Sequence, residues 1–261
     1  MKRTIAAVIV LVIATMLIAC EYDKEDVFSI YEDSCQHMAS ATSMVIDKTV
    51  TGKLSDGKAH QLKDYVKVVG QNGDIAFEAV QRDCELQITD NTSLFYQGVI
   101  YYSSTLDGRT IRYRYKIGET TALRMFNIDA ARGAKLDADD FESAELKEES
   151  NQRVCTFKAK KECAKKIIEE NLTDSDAIAR VYPSLDANSI ALFDHANADL
   201  TIKVVVNEDG YITNQKWIAD IEYNKKKSET VHYVMSIKVK DINKQMTIDP
   251  PDPDDYEEND E

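Results

Sequence analysis

Four Asp-Gly or Asn-Gly dipeptides punctuate this 261-residue chain and constrain how it can fold. They are Asp56-Gly57, Asn72-Gly73, Asp107-Gly108 and Asp209-Gly210. Such dipeptides favour the positive φ angles of two-residue β-hairpin turns. The sequence flanking the last three has strand character, which predicts antiparallel strands joined by hairpins.

Alternation of apolar and polar residues supports this prediction. One apolar set points to one side of a strand over residues 110–117, and two further sets do so near the C-terminus. These sets are Ile111, Tyr113, Tyr115 and Ile117; Trp217, Ala219, Ile221 and Tyr223; and Val231, Tyr233, Met235, Ile237 and Val239. A period of two is typical of half-buried strands. The residues 94–102 and 200–206 are further strand candidates, rich in β-branched or aromatic residues. We therefore expect an α+β, mainly β protein built on one large antiparallel sheet that buries one face and curls.

Helical spacing occurs in fewer places. Apolar residues recur at near-helical intervals over residues 26–43 and 161–171, and a third helix is expected over 174–182, ended by Pro183. The polar stretch 134–151 is expected to be a surface connection, in part helical.

The first 20 residues have the pattern of an export signal. Lys2 and Arg3 precede a 15-residue apolar run, Ile5 to Ala19, that is short for a membrane-spanning helix, which needs about 20 residues. The run ends in Leu17-Ile18-Ala19-Cys20, which resembles a bacterial lipobox. In such signals the Cys thiol receives a diacylglyceryl group and becomes the new N-terminus. We therefore expect a signal peptide over 1–19 and a mature chain anchored to a membrane through Cys20, facing the extracytoplasmic side.

The charge balance restricts the choice of partners. Without residues 1–19 the chain has 30 basic and 46 acidic residues, a net charge of −16. This balance disfavours nucleic acid, which attracts basic patches, and broad adhesion to an anionic membrane. Residues 20–248 are expected to form a single domain. The acidic segment 249–261, which holds three of the four prolines, is expected to be a disordered tail.

The remaining cysteines leave two alternatives open. An even number of them, Cys35, Cys84, Cys155 and Cys163, follows Cys20, which permits two disulfides in an exported protein. Cys155 and Cys163 could meet if the chain reverses between them. Alternatively, the thiols are small buried apolar groups.

Catalytic and metal-binding patterns are not found in the sequence. The four histidines are scattered, no nucleophile elbow or phosphate-binding glycine loop occurs, and no cofactor is expected. We therefore expect a protein that is not an enzyme.

Several segments together resemble those of the LolA-like lipoproteins, including the LppX and LprG relatives and related lipoproteins of Gram-positive bacteria. The segments are 94–102, Arg112-Tyr-Arg-Tyr115, Val154-Cys-Thr-Phe157 with the helix that follows, 204–211 and 241–250. The resemblance implies a curled antiparallel half-barrel with helices covering its concave face. In several members the space between sheet and helices holds an acyl chain or a lipoprotein, whereas other members act as scaffolds or sensors.

Two functions remain open on these grounds. The first is a carrier of a hydrophobic ligand such as a lipid or lipoprotein, with an apolar pocket lined by aromatic and Met side chains. The candidates for that lining are Tyr113, Tyr115, Trp217, Tyr223, Tyr233 and Met235. Alternatively, these side chains belong to the hydrophobic core. The second function is an envelope scaffold or sensor that contacts a protein partner and holds no ligand.

Overall fold

The fold is seen in a computed structural model. It describes residues 22–54, 57, 59–70, 73–83, 91–106, 108–171, 193–223 and 230–259. The predicted helix over 174–182, together with Cys20 and Cys84, lies outside these residues.

One mixed but almost entirely antiparallel sheet dominates the structure. Its strands are β1 Ser43–Leu54, β2 Ala59–Val69, β3 Ala76–Asp83, β4 Asn91–Tyr96, β5 Val99–Leu106, β6 Arg109–Lys116, β7 Phe141–Glu149, β8 Gln152–Ala159, β9 Phe193–Val206, β10 Ile212–Tyr223, β11 Thr230–Lys240 and β12 Glu257–Glu258. Their spatial order is β12-β6-β5-β4-β3-β2-β1-β11-β10-β9-β8-β7. Only β12 is parallel to its neighbour. The chain therefore builds two meanders that meet where β1 pairs with β11.

Helices lie against one face of this sheet, which we call the inner face. They are α1 Lys24–Ala39, α2 Glu119–Met125, α3 Ile128–Arg132 and α4 Lys161–Asn171. Phe28 of α1 packs with its ring centroid 4.8 Å from that of Phe157 on β8 and 5.4 Å from that of Phe141 on β7. The predicted fold class, mainly β with a few helices on one face of a large open sheet, is confirmed.

Strand β11 shows why the sequence pattern was informative. Its side chains alternate between buried and more exposed along the whole strand, with Tyr233, Met235 and Ile237 on the inner face. All four predicted turn glycines have positive φ, as hairpin turns require. The α4 helix spans the predicted residues 161–171.

Three segments differ from the sequence-based expectation. The segment 94–102 is a hairpin of β4 and β5, because Gln97 and Gly98 both adopt positive φ. Helix α1 ends at Ala39, and strand β1 begins at Ser43. The segment predicted as a surface connection contains β7, whose pairing with β8 shifts between Phe141 and Ser143. A bulge of this kind interrupts the period of two, so the apolar spacing of β7 is not strand-like in the sequence.

The acidic tail was predicted to be disordered, and this expectation is corrected for residues 252–259. Pro253–Asp255 form a 3₁₀ turn capped by the Asp252 carboxylate, and β12 then pairs with Tyr113 and Arg114 of β6. The Tyr256 ring packs edge-on against Tyr101 at 5.2 Å between centroids. The tail is ordered because it pairs with the backbone of an open sheet edge, a contact that composition alone does not reveal.

Candidate functional site

The inner face is covered unevenly, and its least covered described corner lies at β5 and β6. Tyr102, Tyr113 and Tyr115 are half-buried there, and Ile111 is 60% exposed. We call these four residues the tyrosine shelf. An apolar side chain as exposed as Ile111, on the face that elsewhere forms the core, marks an apolar surface that the described helices leave open.

The β5–β6 hairpin positions the shelf. Its two strands pair so that Tyr102 lies directly opposite Tyr113, with the ring centroids 4.7 Å apart. Tyr115 is on the same strand face as Tyr113, and these two rings stack at 6.0 Å. Tyr102 and Tyr115 also contact the hydrophobic core, whereas Tyr113 lies further out. The three rings thus form a continuous aromatic surface that leads from the core to solvent.

Partial burial changes the chemistry of the shelf hydroxyls. Desolvation raises the pKa of Tyr113 above its ordinary value, and the nearby Tyr102 and Tyr115 raise it further. The pKa of Tyr115 is raised by the same two causes, burial and Tyr102. The phenols of Tyr113 and Tyr115 therefore remain neutral donors at physiological pH. They offer an apolar ring with a polar tip, which suits a ligand that has both an apolar and a polar part.

A row of polar side chains crosses the inner face next to the shelf. Asp64 on β2 pairs in register with Gln81, and Gln81 with Asn91. The Ser104 hydroxyl on β5 donates to Asn91 Oδ1 over 2.5 Å. Lys48 on β1 begins the row, because it lies opposite Asp64.

Lys48 and Asp64 form a buried ion pair in this row. The Nζ–Oδ2 distance is 2.6 Å, and each side chain is 8% exposed. The flanking β1 residues Ile46 and Val50 are core residues on the same strand face. Burying two charges is costly, so a pair of this kind is retained only if it is well matched or has a use beyond stability.

The other end of the inner face is filled with protein. Trp217 is 0% exposed, and Tyr233 and Met235 are 2% exposed each. The Trp217 indole donates to Gln215 Oε1 at 3.5 Å, and the Gln215 amide donates to the Ala130 carbonyl of α3 at 2.7 Å. These side chains therefore belong to the hydrophobic core under the helices, which was the alternative to a ligand-lining role.

The other three predicted lining residues are all tyrosines. Tyr113 and Tyr115 are on the shelf, where a ligand could reach them. Tyr223 ends strand β10, and its side chain is outside the described part of the structure. The structure thus brings two of the six predicted lining residues together at an accessible place.

Comparison with known proteins gives structural likeness alone. No protein-family model matches the chain, and no curated protein matches it. Similar solved structures include LprF from Mycobacterium bovis, at 10% identity and a TM-score of 0.42, covering 88% of this chain and 98% of that one. The LolA superfamily protein NE2245 from Nitrosomonas europaea is 10% identical with a TM-score of 0.30, covering 84% and 94% of the two chains.

The chain has LolA-like structural neighbours. A DUF1329 family protein from Desulfovibrio piger is a further one, at 10% identity and a TM-score of 0.28, covering 85% and 95% of the two chains. These neighbours match the group that the sequence resembles. Because the identities are near 10% and the TM-scores are below 0.5, the LolA-like similarity carries no argument about ligand, partner or anchoring.

The described cysteines, Cys35, Cys155 and Cys163, are separate in the structure. Cys155 and Cys163 are both free thiols in the structure, so of the two alternatives that the sequence left open it is not the disulfide that is seen. Cys155 is fully buried on the inner face of β8, opposite Val204 of β9, whereas Cys163 lies in the first turn of α4 near Asp140. Cys155 thus packs as a small apolar side chain, which was the alternative reading of these cysteines. Burial raises its pKa to about 11.

Two groups of the site were not predicted from the sequence, although the first could have been. Tyr102 follows from counting outward along the hairpin at Asp107-Gly108, which places it opposite Tyr113. The Lys48–Asp64 pair was missed although Asp56-Gly57 lies between β1 and β2, because the two charged residues occupy inner positions and themselves interrupt the alternation of these strands. Among the described residues no three His, Cys, Asp or Glu side chains cluster to hold a metal, and no helix has both the length and the apolarity to cross a membrane.

Proposed function

We propose that this chain is an extracytoplasmic lipoprotein, anchored to a membrane through Cys20, that binds a hydrophobic ligand without catalysing a reaction. The tyrosine shelf carries this proposal. It is an apolar, half-open surface on the face of the sheet that otherwise holds the core.

The shelf and the polar row fit the two parts of an amphipathic lipid. An acyl chain would lie on the rings of Tyr102, Tyr113 and Tyr115, which offer a large apolar area. Its polar end would meet the row of amide and hydroxyl groups that includes Asn91 and Ser104. Trp217 and Met235, at the filled end of the inner face, would not take part unless the core opened.

The ligand is tested with the full chain, extracted from membranes in a mild neutral detergent. A fluorescent fatty acid should bind at a saturable site, and Tyr113→Ala with Tyr115→Ala should weaken its binding at least tenfold. Tyr65→Ala is the matched control, because Tyr65 is an exposed tyrosine of β2 on the opposite face, 42% exposed. Equal binding by all three proteins would refute a ligand site on the shelf.

The anchor needs a separate experiment. Cells that express the chain are fed an alkyne-labelled palmitate, and the labelled protein is detected after gel separation. We expect the wild-type chain to be labelled and to remain with the membrane fraction. Cys20→Ala should abolish both the label and the membrane retention, and labelling of that variant would refute the lipidation site.

A scaffold function without ligand is the second candidate, and the C-terminal tail favours it. Strand β12 contributes two residues to the edge of β6, with the Asn259 amide donating to the Arg114 carbonyl at 2.9 Å. A pairing this short could yield to a strand supplied by a partner protein. Crosslinking from a photoreactive residue at Tyr256 would recover such a partner, and Tyr115→Ala, which changes a shelf residue that does not pair with β12, would not affect it.

A further inference from the structure

The outer face of the sheet carries a row of basic residues that the sequence does not reveal. Cross-strand pairing places Arg82 opposite Lys63, Lys63 opposite Thr49, and Thr49 opposite Ser236. The row continues from Ser236 to Lys216 and from Lys216 to Lys203. We call these six residues the basic row. It crosses the six adjacent strands β3, β2, β1, β11, β10 and β9.

Every side chain of the basic row can donate hydrogen bonds. The four basic side chains are exposed, and the two hydroxyl side chains between them are partly exposed. Because neighbouring strands lie about 4.8 Å apart, the row is about 24 Å long. It therefore presents two pairs of cations at its ends with two hydroxyl donors between them.

The arrangement is unfavourable for the isolated protein. Lys63 with Arg82, and Lys216 with Lys203, are like charges directly opposite each other, an arrangement that destabilises a sheet. No ion pair to Lys63, Lys203 or Lys216 is formed within the described part of the chain. The chain as a whole is acidic, with a net charge of −14. Lys63, Lys203 and Lys216 are therefore exposed cations that have no ion-pair partner among the described residues and are available to an anion from outside.

A hollow adjoins one end of the basic row. Its volume is about 440 Å³, and it is lined by the ion-paired residues Lys48 and Asp64 and by six residues of the outer face, Asp47, Thr49, Lys63, Tyr65, Val80 and Arg82. Asp47 is paired with Lys240 at 2.7 Å, and the Lys240 ammonium also lies 5.9 Å from the centre of the Tyr65 ring. The hollow thus combines two cations of the row with an aromatic wall. It has room for one bulky anionic group of a ligand that otherwise lies along the basic row.

We propose that the basic row binds a linear anionic polymer, laid across the strands and seated at one end in the hollow. The proposal is independent of the ligand shelf, which lies on the opposite face of the sheet. The chain is acidic overall, but the surface along the basic row is positively charged.

The shape of the charged surface favours a polymer over a flat anionic membrane. Asp199 and Asp220 lie opposite each other on the same outer face, four residues along their strands from Lys203 and Lys216. That offset corresponds to about 14 Å. A flat anionic surface would meet both the basic row and these carboxylates, whereas a single polymer strand can follow the row and avoid them. Asp220 also holds the imidazole of His232 at 2.8 Å, and Asp199 is paired with Lys161 at 3.4 Å.

The test uses the full chain in neutral detergent and fluorescently labelled inorganic polyphosphate, followed by anisotropy. Binding should be detected at 50 mM salt and should weaken linearly on a plot of log affinity against log salt concentration. The double variant Lys63→Gln and Lys216→Gln should lose at least tenfold in affinity, with the slope reduced by about one for each lysine removed. Replacing the same two lysines by arginine should preserve the binding.

The control changes the net charge equally at another place. Lys135→Gln with Lys165→Gln removes two exposed cations on the helical side of the sheet, one after α3 and one in α4. This control should bind within twofold of the wild type. Equal losses in the two glutamine variants would overturn the proposal in favour of general charge attraction. Binding to vesicles of anionic phospholipid without binding to polyphosphate would overturn it in favour of a membrane surface. No binding to either would overturn it outright.

Discussion

Lys48 and Asp64 face each other across β1 and β2 as an ion pair among core residues, with Nζ and Oδ2 2.6 Å apart. Each charge is stabilised chiefly by the other, because bulk water is largely excluded from both side chains. The two residues should therefore behave as one unit when either is replaced.

The first prediction concerns this pair. Lys48→Met leaves the Asp64 carboxylate buried without its partner, which should lower the free energy of unfolding by about 3–5 kcal/mol. The double variant Lys48→Met with Asp64→Leu should recover most of that loss. Urea unfolding followed by circular dichroism measures all three proteins.

An exposed ion pair supplies the comparison. Lys158 and Glu142 are 3.0 Å apart with side chains 58% and 60% exposed, so Lys158→Met should cost no more than about 1 kcal/mol. Similar losses for Lys48→Met and Lys158→Met would contradict the buried position of the first pair.

The second prediction concerns the tight approach of Gly210 to helix α1. Gly210 has a φ of +84°, and a Cβ at this position would collide with the His37 ring. Gly210→Ala should therefore cost the penalty of the left-handed backbone and, in addition, the displacement of the exposed His37 ring, together about 1–2 kcal/mol.

Two further variants separate these contributions. Gly108 has a φ of +76° with no atom within 4 Å of a built Cβ, so Gly108→Ala should show the backbone penalty alone, about 1 kcal/mol. Adding His37→Ala to Gly210→Ala should bring the loss close to that of Gly108→Ala. If His37→Ala gives no relief, the collision is not the cause.

The third prediction concerns pH. Burial raises the pKa of the Cys155 thiol to about 11, above its ordinary value near 9.0. Between pH 9 and 11 the folded chain keeps this proton while the unfolded chain releases it, so the stability conferred by Cys155 falls as the pH rises. The contribution should decline by up to about 1.4 kcal/mol per pH unit.

The measurement is the pH slope of the unfolding free energy, compared between wild type and Cys155→Ala. The variant should lose stability at every pH through the missing atoms, but its slope between pH 9 and 10.5 should be shallower. Parallel curves would show that the Cys155 thiol ionises equally in the folded and unfolded chains. Burial also raises the pKa of Tyr31, and the Cys155 thiol contributes to that shift, so the difference in slope reports Cys155 together with its effect on Tyr31.

The fourth prediction concerns the open edge of β6. Ending the chain after Pro250 removes β12 and leaves the backbone groups of Tyr113 and Arg114 without their strand partner. An uncovered edge is a template for another chain, so the truncated protein should associate as its concentration rises. Light scattering after size-exclusion chromatography measures this. Removing only Asp260 and Glu261 should leave the mass unchanged, and a monomeric truncation would show that the tail does not protect the edge.

Features that a single strand or turn shows in its own sequence were predictable. The alternation in β6 and β11 and the turn at Asp209-Gly210 identified a sheet with one buried face. Strand β7 was missed because its bulge disrupts the alternation, and α2 and α3 were missed because helices of seven and five residues contain too few turns to show a period.

The candidate sites depend on which strands are neighbours. Lys63 and Lys216 share a row only because β1 and β11 bring two distant parts of the chain together. The shelf was partly predictable, since Tyr113 and Tyr115 belong to one hairpin. Whether an aromatic residue such as Trp217 lines a pocket or fills the core depends on how the helices cover the sheet, which local sequence does not specify.

The pairing of β1 with β11 also bears on how the molecule assembles. These strands are the first and the last long ones of the chain, and each is the innermost strand of its own meander. Until residues 230–240 are present, β1 lacks its neighbour, and the pair of strands at the middle of the sheet cannot form. Contacts between such distant residues are slow to form, because a long loop must close first. The chain should therefore remain without its native tertiary structure until its C-terminal third is available, and should then complete the sheet in one late, cooperative step.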